Sequence, residues 1–98
     1  MKKNENTSDF ILLSTSSHNV KKSTFESQLF LIQSLDDVSL IINQLNKEHP
    51  KASHICYCAR FDDEVIIKND REVGDPANIA RNILYYNNLN SHVLVTIR

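Results

Sequence analysis

The segment "SHVLVTIR", residues 91–98, decides how this chain folds. Val93, Val95 and Ile97 alternate with Leu94 and Thr96, and nearly every side chain is apolar or β-branched. A period of two in such residues predicts a strand, residues 92–97, that is half or fully buried. A strand of this kind needs cover, and the sequence ends one residue beyond it, at Arg98. The expectation is therefore that Val93, Val95 and Ile97 form an apolar edge left uncovered by their own chain and sheltered by a partner.

Working outward, Asp75 and Pro76 mark a helix start, an N-cap followed by a first-turn proline. That helix runs to about Tyr86, with Ile79, Ile83 and Tyr86 on one stripe and Ala80 and Leu84 beside it. Before it lies a loop, "NDREVGD" (69–75), holding the single glycine. "ASHICYCARF" (52–61) reads as a strand with Ile55, Tyr57, Ala59 and Phe61 on one face and His54, Cys56, Cys58 and Arg60 on the other. "DDE" (62–64) reads as a turn and "VIIK" (65–68) as a short returning strand. In "SLDDVSLIINQLNKEHP" (34–50), Val38, Ile41, Ile42 and Leu45 recur at helical spacing. Ser34 and Asp37 form an acidic variant of the capping box, and Pro50 ends the helix. Further back, "FILLS" (10–14) and "STFESQLFLIQ" (23–33) read as a hairpin about a polar, turn-like "TSSHNVKK" (15–22). Residues 1–9 read as a disordered tail. The order of elements predicts an α+β domain over residues 10–98: a mostly antiparallel sheet of four or five strands with two helices on one face.

The chain has 98 residues, 41% of them hydrophobic and 23% charged, and a formal net charge of −1. That length is one domain with one modest core. The charge balance offers no global attraction to nucleic acid. "MKKNENTSD" lacks the apolar stretch of a signal peptide, and no apolar run reaches the ~20 residues of a membrane span. Cys56 and Cys58, two apart on a strand, are poorly placed to bond each other. A reducing compartment, the cytosol, is the simplest reading.

Few residues carry chemistry. His54, Cys56 and Cys58 share a strand face and are zinc-ligand types, but ligands two apart on a flat strand point in parallel rather than converging. A catalytic cysteine beside His54 would lack an orienting acid. Asp62, Asp63 and Glu64 read as a solvated turn. One glycine is too few for a phosphate-binding loop at the second helix. Lys21, Lys22, Lys51 and Arg60 are the candidate RNA or phosphate contacts. No enzyme activity, metal site, cofactor or small-molecule substrate is expected.

Three segments, "KKSTF" (21–25), "ASHICYCAR" (52–60) and "GDPANIARNIL" (74–84), together resemble the N-terminal domain of the IMPACT and YigZ-type (UPF0029) family. The residues that carry the likeness are Ser23, Phe25, His54, Tyr57, Arg60, Gly74, Asp75, Pro76 and Arg81. The chain departs from the family pattern at Glu72 and Val73, where the family has an acidic pair. It departs also at Asn78 and Ile79, where the family has small residues, and the family continues past the last strand. The resemblance implies a fold like the second domain of a small-subunit ribosomal protein. It implies a shortened family member with a non-enzymatic role in translation control, cytoplasmic and bound to a large partner. That partner would be the ribosome, with its RNA and proteins, or the ribosome-associated activator of the amino-acid-starvation kinase. A protein-only regulator docking through either helix, and a small thiol or zinc protein, are the alternatives.

Overall fold

The computed structural model describes residues 10–20, 23–52, 54–69 and 75–98. Five strands and two helices follow one another as β1 (Ile11–Val20), β2 (Ser23–Leu31), α1 (Asp36–Glu48), β3 (Ile55–Phe61), β4 (Glu64–Lys68), α2 (Pro76–Tyr86) and β5 (His92–Ile97). The strands form one sheet in the order β1-β2-β5-β3-β4, and every neighbouring pair is antiparallel. The α+β class with an antiparallel sheet is as expected from sequence, with five strands.

The last strand is not an uncovered edge. It is the centre of the sheet, pairing with β2 through Glu26↔Ile97 to Leu31↔His92 and with β3 through Ile55↔Ile97 to Arg60↔His92. Val93 and Val95 are 0% exposed and Ile97 is 4% exposed. Their cover comes from α1, whose Val38, Ile41 and Leu45 join them, Phe30, Ile32 and Ala59 in one cluster. A strand placed in the middle of a sheet draws cover from elements that precede it in the chain. The expected partner-covered edge of Val93, Val95 and Ile97 is therefore corrected: these residues are the core.

The helices also differ from expectation, because they lie on opposite faces. Rows of directly paired residues share a face. Phe30, Val93 and Ala59 make one row, under α1; Leu29, Leu94 and Cys58 make the next, on the other side. Ala80 and Leu84 of α2 pack on this second row. The sheet is apolar on both faces, so helices stacked on one side would leave Leu29, Leu94 and Cys58 in water. The arrangement has a topological consequence. β2 and β3 are parallel to each other, as are β4 and β5, and the two crossovers run in opposite directions across the sheet. Same-handed crossovers would put both helices on one face; opposite faces require one crossover of each hand, against the usual right-handed preference.

Two local predictions are revised. Residues 15–20 are strand, not turn, so the first hairpin is longer than its apolar pattern shows. The hydroxyl half of the α1 capping box is absent: the helix is capped at Leu35 with no side-chain cap bond. The carboxylate half is present, since Asp37 Oδ2 accepts the backbone N–H of Gln33 at 2.8 Å and of Ser34 at 3.3 Å. Asp37 is itself buried, so these bonds anchor the turn from β2 into α1. Asp37→Ala should lower stability by about 1–2 kcal/mol, read as a shift in the urea midpoint; an unchanged midpoint would show that the carboxylate contributes nothing to this corner.

Candidate functional site

Helix α2 begins beside the end of β4. Asp75 is the N-cap, as expected, and its carbonyl accepts the N–H groups of Asn78 and Ile79, but it adopts a left-handed conformation, φ 56°, and its side chain makes no cap bond to a helix N–H. Asn69, just past the end of β4, supplies the side-chain cap bond instead: its Oδ1 accepts the N–H of Ala77 at 2.8 Å. The Asp75 carboxylate instead receives the side-chain amides of Asn78 and Asn69. These bonds, Asn78 first and Asn69 second, hold its carboxyl below the usual range. Pro76 starts the helix as expected.

The helix is apolar on two sides, and the sheet takes only one. Ala77, Ala80 and Leu84 are buried, and α2 comes within 8 Å, Cα to Cα, of β3, β4 and β5. Alanines permit that approach; isoleucines would hold the helix off. The stripe expected from periodicity, Ile79, Ile83 and Tyr86, consequently faces outward, 56%, 42% and 87% exposed. The three residues fall at i, i+4 and i+7, so they form one line along the helix. A line of two isoleucines and a tyrosine on a rigidly seated helix is suited to docking in an apolar groove.

The two candidate phosphate contacts among the described residues, Lys51 and Arg60, do not come together. Lys21 and Lys22 lie outside the described residues. Lys51 is exposed, but the cavity of about 360 Å³ it lines also holds Glu26, Glu48 and Arg98, so its surroundings carry both signs of charge. Arg60 stands at the opposite end of β3, five residues from Ile55, which at strand rise is roughly 17 Å away. It is also not a surface cation: its side chain is only 13% exposed. The guanidinium lies 4.2 Å from the centroid of Tyr85, and Nη2 meets Asp63 at 3.3 Å. Nε and Nη1 are buried without a hydrogen-bond partner. In the fold, Arg60 is a brace that ties the β3–β4 corner to α2 through a cation–π contact. Arg81 reaches the same ring, at 5.7 Å.

The thiols also have structural positions. The Cys56 thiol donates to the Asn69 carbonyl, and Cys58 is fully buried beneath α2. Burial pushes the Cys58 thiol up, only partly opposed by the positive charge of Arg81. Both cysteines are free of disulfides, and among the described residues no three His, Cys, Asp or Glu side chains gather as metal ligands. Among the other motif residues, Tyr57 and Phe25 are half-buried, Tyr57 beneath α1, and the His54 carbonyl accepts the N–H of Arg98. Ser23 opens β2, and Gly74 lies outside the described residues. Sequence reading missed the Asn69 cap and the Tyr85 stack. The only available signal for the second was a tyrosine off the predicted stripe. No helix among the described residues is long and apolar enough to cross a membrane.

Residues 21–98 match the family model of the Impact N-terminal domain. No curated protein and no solved structure matches the chain closely enough to count as a relative.

Proposed function

We propose, from the premise that this chain belongs to the Impact N-terminal domain family, that it is a non-enzymatic docking module of translation control. It binds a protein of the ribosome-associated machinery, in the first place the activator of the amino-acid-starvation kinase, through the outer face of α2. The observation that supports this reading is the solvent-facing line Ile79, Ile83 and Tyr86 on a helix whose other apolar side is already satisfied by the sheet. Large apolar side chains clustered outward are costly in water and favourable in a groove, and tyrosine is a frequent interface anchor. Protein contact is favoured over RNA contact because Arg60 is committed to Tyr85 and Lys51 stands beside carboxylates.

Two variants separate the alternatives. Ile79→Asp with Ile83→Asp places charge on the docking line at exposed positions, where the fold should tolerate it. Binding to the purified activator should weaken by at least about tenfold. Lys21→Glu with Lys22→Glu should leave that affinity, and any ribosome co-sedimentation, nearly unchanged. The opposite pattern, loss with the lysine variant and retention with the isoleucine variant, would replace this reading with a phosphate-contact one.

A further inference from the structure

Among the described residues the sheet ends in two edge strands, β1 and β4, and they differ in how they would meet a copy of themselves. β4 reads Glu64-Val65-Ile66-Ile67-Lys68, with an acid at one end and a base at the other. Antiparallel pairing of this strand with its own copy about Ile66 sets Glu64 against the second copy's Lys68 twice, Val65 against Ile67 twice, and Ile66 against itself. Opposite charges and β-branched apolar residues are the favourable cross-strand pairs. Glu64, Ile66, Ile67 and Lys68 are all exposed.

The backbone agrees with this register. Asp62 and Asp63, both at positive φ, close the β3–β4 hairpin as a two-residue turn after the pair Phe61↔Glu64. Counting from that closing pair, alternation turns the peptide groups of Glu64, Ile66 and Lys68 toward β3 and those of Val65 and Ile67 outward. Centring on Ile66 therefore makes each Val65–Ile67 pair a hydrogen-bonded one and brings the two Ile66 side chains close across a narrow pair. The other edge is less suited. β1 carries a register shift between Leu12 and Ser14, a device that bends an edge away from further pairing.

We infer that β4 is a self-association edge: two copies of this chain join antiparallel about Ile66 into one continuous ten-stranded sheet. The docking line on α2 takes no part in this contact. Five residues per copy make a small interface, so the association is reversible and concentration-dependent.

Sedimentation velocity on the full chain, from micromolar to millimolar concentration, tests it. The unaltered chain should pass from monomer to dimer. Ile66→Lys, which sets two like charges together at the two-fold axis, should weaken dimerisation by at least about tenfold. Glu64→Lys should weaken it as well, and adding Lys68→Glu should restore it, because the swapped pair is again complementary. Circular dichroism checks that each variant is folded. A chain monomeric throughout, a dimer indifferent to Glu64→Lys, or a double swap no better than the single change would each overturn the proposal. Ile79→Asp with Ile83→Asp should dimerise normally; loss there with retention in Glu64→Lys would place the contact on α2 instead.

Discussion

Val95→Asp is expected to leave the chain unfolded in buffer at room temperature. Val95 is fully buried at the centre of the sheet, paired with Gln28 on one side and Tyr57 on the other, beneath α1. A carboxylate there has no partner, and an unpaired buried charge or its neutralised form costs several kcal/mol. A loss of at least about 4–5 kcal/mol removes nearly all the stability of a domain near the low end of the ~5–15 kcal/mol range, where a chain this short with one modest core belongs. Far-UV circular dichroism and amide dispersion in the nuclear magnetic resonance spectrum would read the result directly. The comparison is Tyr86→Asp, on the exposed side of α2, which should change stability by no more than about 0.5 kcal/mol. A native-like Val95→Asp chain would mean that β5 is not the central strand.

The second large effect is expected at Leu84. The two faces of the sheet are unequal: among the described residues, nine buried side chains form the cluster between α1 and the sheet, while Cys58, Ala80 and Leu84 form the one between α2 and the sheet. Leu84 is the only large side chain of those three, so its truncation removes most of the apolar grip on the helix. Leu84→Ala should cost about 2–4 kcal/mol, and the loss should be uneven. Amide exchange in α2 should accelerate by roughly two orders of magnitude, while β5 and α1 remain the slowest-exchanging segments. Ile83→Ala, one residue away but facing solvent, should be close to neutral. Uniform acceleration across the chain would instead show that α2 and the sheet open only together. Because docking needs a seated α2, Leu84→Ala should also weaken the proposed partner binding without touching the Ile79–Ile83–Tyr86 line.

Much of the architecture is legible in the order of residues because its signals are local. Val38, Ile41 and Leu45 recur at helical spacing and become the buried side of α1. The alternation of Val93, Val95 and Ile97 is that of a strand, and they form one. Pro76 starts a helix because its ring is preset for the first turn and its missing N–H costs nothing there. In α2 the same reasoning reaches its limit. The helix has two apolar stripes, and hydrophobicity alone favours the heavier one, Ile79, Ile83 and Tyr86. The choice falls to the side of Ala80 and Leu84 because they face Cys58 and Leu94 across a close contact. How near two surfaces must come is a property of both surfaces, and a single segment cannot express it. The candidate site was therefore named in the sequence as a stripe and recognised as a surface only in the fold. The stacking of Arg60 was not legible for a related reason: its ring partner, Tyr85, is 25 positions away along the chain.

What the sequence by itself determined is the list of elements, their periodicities and the family to which the chain belongs, since each depends on residues close together in the chain. Only the tertiary structure decided that the final strand enters between β2 and β3, and that the helices divide between the two faces. It also decided that the edge strands of the sheet are β1 and β4 rather than β5. Strand order and side of packing are settled by which apolar surfaces fit one another after every element exists. The burial of Val93 and Val95 is thus a consequence of where α1 lies in space, not of their position along the chain.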